Sequence, residues 1–137
     1  PISYGTITIP AESDYTISVA AYNQNNGGTV LYSGVALLGY NFERIDFAAG
    51  GVNTMTVGID NSIAIVNGTS LAAAIGAGIC VLLFEWGIVK GNYPYMYTQS
   101  IKTFLRRGTI QRRGEVYPNQ QLGFGIINLY KIFESMT

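Results

Sequence analysis

Between residues 71 and 84 every side chain is apolar or absent, since the run contains only hydrophobic residues and glycine. A helix without a polar face has to be covered all round, so this stretch predicts a central helix with a core built about it. It is also shorter than the roughly 20 residues needed to cross a bilayer, and no membrane partner is expected. Asn67-Gly-Thr-Ser70 directly precedes the run, a glycine-marked turn of small polar residues at the helix start.

The chain before this helix reads as short strands between polar turns. Residues 15–22, Tyr-Thr-Ile-Ser-Val-Ala-Ala-Tyr, are rich in β-formers and bounded by Asp14 and Asn23, which predicts a buried strand. Residues 23–28, Asn-Gln-Asn-Asn-Gly-Gly, form a turn cluster, and a short strand follows near 29–32. Further strands are predicted at 45–48, 54–57 and 63–66. A second helix is expected from Tyr93-Pro94 to Arg107, with proline in its first turn and Gly108 as its C-cap. A third is expected after Asn128, where Leu129, Ile132, Phe133 and Met136 recur at helical spacing. Strands first and helices later, with one helix buried, give an α/β fold in which helices pack on a mostly parallel sheet.

Several classes of function are excluded by what the chain contains. Its 137 residues carry eight Lys+Arg and eight Asp+Glu, so no broad field favours nucleic acid, and no nucleic-acid partner is expected. Arg106, Arg107, Arg112 and Arg113 read as a solvated helix end and loop, because no aromatic platform accompanies them. The single cysteine, Cys80, lies in the apolar run and reads as a buried inert thiol. There is no histidine, which removes a His general base and His-ligated metals from this chain. No carboxylate pair or metal-ligand cluster has suitable spacing, so neither metal nor cofactor is expected. Gly123-Phe-Gly125 lacks the βαβ context of a dinucleotide fingerprint and reads as a turn.

The placement of Ser70 has a chemical logic. Free N–H groups and the positive dipole end at a helix N-terminus stabilise negative charge, as suits a serine whose attack creates an oxyanion. Asn, Thr and Ser are also favoured N-caps, so the same residues taken alone could simply cap a helix.

Gly68-Thr-Ser70-Leu-Ala-Ala73, followed by the run to Ala77-Gly78, resembles the nucleophile signature of the subtilase (peptidase S8) family of serine proteases. The resemblance extends along nearly the whole chain. Ala49-Gly50-Gly51-Val52 corresponds to the family's Ala-Pro-Gly-Val approach to the site, and residues 5–23 resemble the strand leading out of the primary specificity pocket. Tyr117-Pro-Asn, Gly123-Phe-Gly125 and Ile127-Asn128 resemble the terminal glycine-rich turn and last helix, and the detail is closest to clostridial subtilases such as the spore-germination proteases.

This resemblance implies that residues 1–137 are the C-terminal portion of one subtilase domain with a subtilisin-like α/β fold. It implies Ser70 as nucleophile, Asn67, Gly68 and Thr69 as residues supporting the oxyanion site, Thr8 at the substrate pocket, and a cis Ile9–Pro10 bond beside it. Subtilisins order their triad Asp, His, Ser, so both partners of Ser70 should lie upstream. The implied partners are a peptide or protein substrate and the N-terminal remainder of the domain, without which this chain should be inactive. Departures at Gly50, Val35-Ala36 and Arg44-Ile45 leave a second reading, a subtilase-like pseudoprotease that binds or regulates a partner. Ala74 stands where many relatives have proline, a change that suits a helix.

Overall fold

The computed structural model of the chain describes residues 4–37, 39 and 44–136. Its centre is a four-stranded sheet in the order β1 (Val19–Tyr22), β2 (Phe47–Gly50), β6 (Ile126–Ile127), β5 (Thr109–Ile110). The pairs β1–β2 and β2–β6 are parallel and β5–β6 is antiparallel, so the sheet is mostly parallel as the sequence predicts. Both faces of β1 and β2 are covered, which is why Ala20, Ala21, Phe47, Ala48 and Ala49 are all buried and the strands read as apolar runs. A separate antiparallel hairpin pairs β3 (Thr54–Val57) with β4 (Ile63–Val66) and delivers the chain to the central helix.

That helix, α1 (Thr69–Phe84), crosses β1 and β2 on one stripe: Ala72, Gly76, Ile79 and Leu83, spaced four, three and four apart, are buried. Gly76 allows the close approach, since a Cβ there would lie 3.1 Å from the Phe47 ring and 3.2 Å from Val19 Cγ2. The expectation of a helix buried all round is corrected here. Ala73, Ala74, Ile75, Ala77, Gly78, Val81, Leu82 and Phe84 are exposed, because the described residues supply one layer against α1 and none over its far side. The helical path continues through a π turn at Glu85–Val89, so that Thr69–Val89 forms 21 residues long and apolar enough to cross a membrane by length and composition.

The other helices finish the core on the same side. α2 (Thr98–Arg107) buries Ile101 and Leu105 and ends at Gly108. A Cβ at Gly108 would come within 1.9 Å of Ile132, so the C-cap glycine is also a packing requirement where α2 meets α3 (Leu129–Glu134). Trp86, Phe104, Phe133 and Tyr93 join these elements through edge-on ring contacts 5.8 to 6.5 Å apart. Asn128 caps α3 as expected, its Oδ1 accepting from the Lys131 N–H at 2.9 Å. Asn128→Ala is expected to lower stability by about 1 kcal/mol. Chemical denaturation of the complete protein checks this, and an unchanged midpoint would contradict the cap.

Two expectations about local conformation are corrected. Ile9–Pro10 is not cis: Pro10 occupies the first turn of a 3-10 helix at Ile9–Glu12, which its fixed φ suits, and the cis bond among the described residues is Tyr117–Pro118. Residues 29–32 form no strand beyond a single bridge between Thr29 and Tyr22.

Candidate active site

Gly68 sets the site's geometry. Its φ of +151° and ψ of 157° belong to a region that residues with a Cβ rarely adopt, and from this kink the chain turns directly into α1. Gly68 is itself the N-cap and no side chain caps the helix, so the reading of Asn67, Thr69 and Ser70 as mere capping residues is not what the structure contains. Ser70 is solvent-exposed in the first turn, and its main-chain N–H lies at the positive end of a 16-residue helix.

The turn is tied down from two sides. Gly68 N–H donates to the Gly51 carbonyl at 2.9 Å, and Asn67 Oδ1 accepts from the Asn53 N–H at 2.7 Å. Gly51 has no room for a side chain, since a Cβ would lie 2.7 Å from Ala21 Cβ and 3.0 Å from the Gly68 carbonyl oxygen. Asn67 therefore acts as a brace between the turn that precedes Ser70 and the base of the β3–β4 hairpin. Gly50, where the resemblance leads one to expect proline, faces the Gln24 side chain 3.1 Å from a hypothetical Cβ. Gln24 reaches across to Val52 with both ends of its amide, Oε1 accepting from Val52 N–H at 3.1 Å and Nε2 donating to Val52 O. The departure from proline is thus occupied by a different clamp on the same segment.

Beside this turn lies a cleft of about 170 Å³ whose lining includes Thr8, Ser18, Tyr32, Gly34 and Thr69. The structure therefore brings Thr8, at the far end of the sequence, into one cleft with Thr69. Gly34 permits a close approach in its wall, a Cβ there lying 3.0 Å from the Thr6 carbonyl oxygen. The sequence singled out Ser70, Thr69, Gly68, Asn67 and Thr8; it did not single out Gln24, Tyr32, Gly51 or Asn53. The Gly50-Gly51 pair is a signal for a close approach, but no local pattern marks Gln24 or Tyr32 because their partners lie 28 and 19 residues away.

The remaining candidates are structural. Arg106 is no solvated helix end, for it pairs with buried Asp46 at 2.8 Å and lies 4.5 Å over the Phe124 ring. Arg112 pairs with Glu115 at 2.7 Å and also donates to the Gly27 carbonyl, whereas Arg107 and Arg113 are exposed. Burial, with the Asp46 charge as a lesser cause, pushes the half-buried Cys80 thiol above its ordinary range, as expected of an unreactive cysteine. No group of three or more His, Cys, Asp or Glu among the described residues could hold a metal ion.

A mostly parallel sheet crossed by a helix that opens at an exposed serine, behind a glycine in a conformation other residues rarely adopt, defines a subtilisin-like α/β architecture. The chain belongs to the subtilase family, which matches residues 3–125. The solved structure of the Clostridium perfringens CspB protease is 36% identical with a TM-score of 0.89, the match covering 96% of this chain and 28% of that one. Sphericase matches at 19% identity and TM-score 0.74, over 92% of this chain and 44% of its own. MycP1 from Mycobacterium smegmatis matches at 21% and 0.66, over 85% of this chain and 29% of its own. The last two identities speak for the fold alone. No curated protein matches the chain significantly.

Proposed function

We propose that this chain is the C-terminal portion of a subtilisin-like serine endopeptidase domain in which Ser70 is the nucleophile. The observation that carries the proposal is an exposed serine at the uncapped N-terminus of α1, set there by Gly68 at φ +151°. Family membership supports the same chemistry, while the chain covers only 28% of the CspB protease chain. In this reading an upstream histidine takes the Ser70 hydroxyl proton and Oγ attacks the scissile carbonyl. The leaving amine receives that proton, and water then hydrolyses the acyl-enzyme by the same route. The Ser70 N–H and the α1 dipole stabilise the oxyanion, and Asn67, Gly68 and Thr69 fix where that N–H points. Thr8 and Thr69 border the cleft that would receive a peptide side chain. No step requires a metal or cofactor.

The exposed apolar side of α1 fits the same proposal. A surface holding Ile75, Val81, Leu82 and Phe84 is suited to burial against the N-terminal remainder of the domain, which would also bring the histidine and aspartate to Ser70. The 137-residue chain has no histidine, so by itself it lacks the general base and should hydrolyse no peptide. Its charge balance of eight against eight favours neither nucleic acid nor an anionic membrane as partner. The test is to treat the complete protein with a fluorophosphonate and map the adduct by peptide mass spectrometry. Acylation confined to Ser70 is expected. A complete, folded protein that takes no label would favour the inactive, partner-binding reading instead.

A further inference from the structure

Tyr32 is an exposed aromatic residue whose polar tip points inward. Its hydroxyl donates to the Gly51 carbonyl at 2.6 Å, the same oxygen that accepts the Gly68 N–H at 2.9 Å. One carbonyl therefore holds both the tyrosine and the turn that precedes Ser70. The donor is firmly placed, because the adjoining Ser33 accepts from the Ala21 N–H through Oγ at 3.0 Å, anchoring this loop on β1. The acceptor is firmly placed too, since Gly51 N–H donates to the Tyr22 carbonyl at 3.0 Å and its α-carbon sits against Ala21. Tyr32 also lines the cleft shared by Thr8 and Thr69. A phenol that bridges the cleft wall and the nucleophile turn through one backbone oxygen has a geometric task beyond filling space.

We propose that Tyr32 is a positioning residue: its hydroxyl fixes the Gly51 carbonyl, and through it the Gly68 N–H, so that the Ser70 turn is held in one orientation against the cleft. The catalytic part of this rests on the reading of Ser70 as nucleophile, whereas the holding of the turn does not. Without the hydroxyl, Gly51 O keeps only one of its two donors and the turn gains freedom at Gly68, the residue whose backbone is least restrained by a side chain. The loss of one neutral hydrogen bond corresponds to roughly a 3- to 10-fold change in the equilibrium or rate it governs.

The experiment compares the complete wild-type protein with Tyr32→Phe, which keeps the ring and removes the hydroxyl, by two independent measurements. Amide hydrogen exchange across residues 67–70 should quicken about 3- to 10-fold in the variant while amides of β1 and β2 keep their protection. Unchanged exchange at Gly68 overturns the proposal whatever Ser70 does. Peptide hydrolysis and fluorophosphonate acylation should fall by a similar factor in kcat and acylation rate with KM nearly constant. Altered exchange with an unaltered acylation rate overturns the catalytic part and leaves Tyr32 a structural brace. A wild-type protein that is never acylated refutes the Ser70 reading, while the exchange result still decides whether Tyr32 holds the turn.

Discussion

In the complete polypeptide, Ser70→Ala is expected to abolish fluorophosphonate labelling and to lower peptidase kcat by at least about 10³-fold. Subtilisin loses about 2 × 10⁶ in kcat without its serine, so about 10³-fold is the lower bound of the expected loss. The direction follows from the proposed role of Ser70 as nucleophile. The variant removes Oγ and leaves the Ser70 N–H, the α1 dipole and the Gly68 kink, so whatever rate survives measures binding and oxyanion stabilisation alone. Alanine is a good helix former and Ser70 is exposed, so α1 should persist and the melting temperature should change little. A variant that retains label, or loses less than tenfold in kcat at unchanged stability, would show that another residue performs the attack.

How far the sequence exposed this arrangement depends on how local each cause is. The hairpin strands Thr54–Val57 and Ile63–Val66 and the start of α1 were legible because turn residues and a change of periodicity sit beside them. The first strand begins at Val19 rather than Tyr15 because Thr16 Oγ1 donates to the Pro10 and Ser13 carbonyls, which draws that backbone into turns. The second helix begins at Thr98 rather than near Pro94 for a comparable reason. Tyr93 N–H is taken by the Gly87 carbonyl, Met96 N–H by that of Tyr93, and Tyr97 N–H by Ser100 Oγ, so the helix opens only after these turns close.

At the site, Ser70 and Gly68 were legible as a motif, but the ties that hold them were not. Gln24, Tyr32 and Gly51 become neighbours only once β1 and β2 pair in parallel, and parallel pairing leaves no sequence-local trace. The covering of α1 was read as complete because an all-apolar run demands cover without saying which polypeptide segment supplies it.

The largest stability effect is expected at Asp46, a carboxylate 1% exposed immediately before β2. Oδ1 accepts from Arg106 Nε at 3.1 Å and Nη2 at 2.8 Å, and Oδ2 accepts from the Ser18 N–H at 2.8 Å, with Lys102 Nζ 3.7 Å away. Behind it the Gly123-Phe-Gly125 turn closes on the same strand. Phe124 N–H donates to the Asp46 carbonyl at 3.2 Å, and a Cβ at Gly123, where φ is +57°, would lie 2.1 Å from the Ile45 carbonyl oxygen. The aspartate thus joins β2 to the segment before β1, to α2 through Arg106 and Lys102, and, through the Arg106 guanidinium over Phe124, to the terminal turn. Asp46→Ala leaves two cations facing each other across a vacated carboxylate and strands the buried Ser18 N–H. Breaking a buried pair from one side typically costs about 3–5 kcal/mol. Asp46→Asn keeps the shape and an acceptor for Ser18, so a smaller loss is expected, with the ranking wild type, Asn, Ala from most to least stable. Urea denaturation of the complete protein reads this directly. A loss below about 1 kcal/mol for Asp46→Ala would mean that Arg106 and Lys102 find water or other partners at no cost, and that this ion cluster does not hold the sheet to α2.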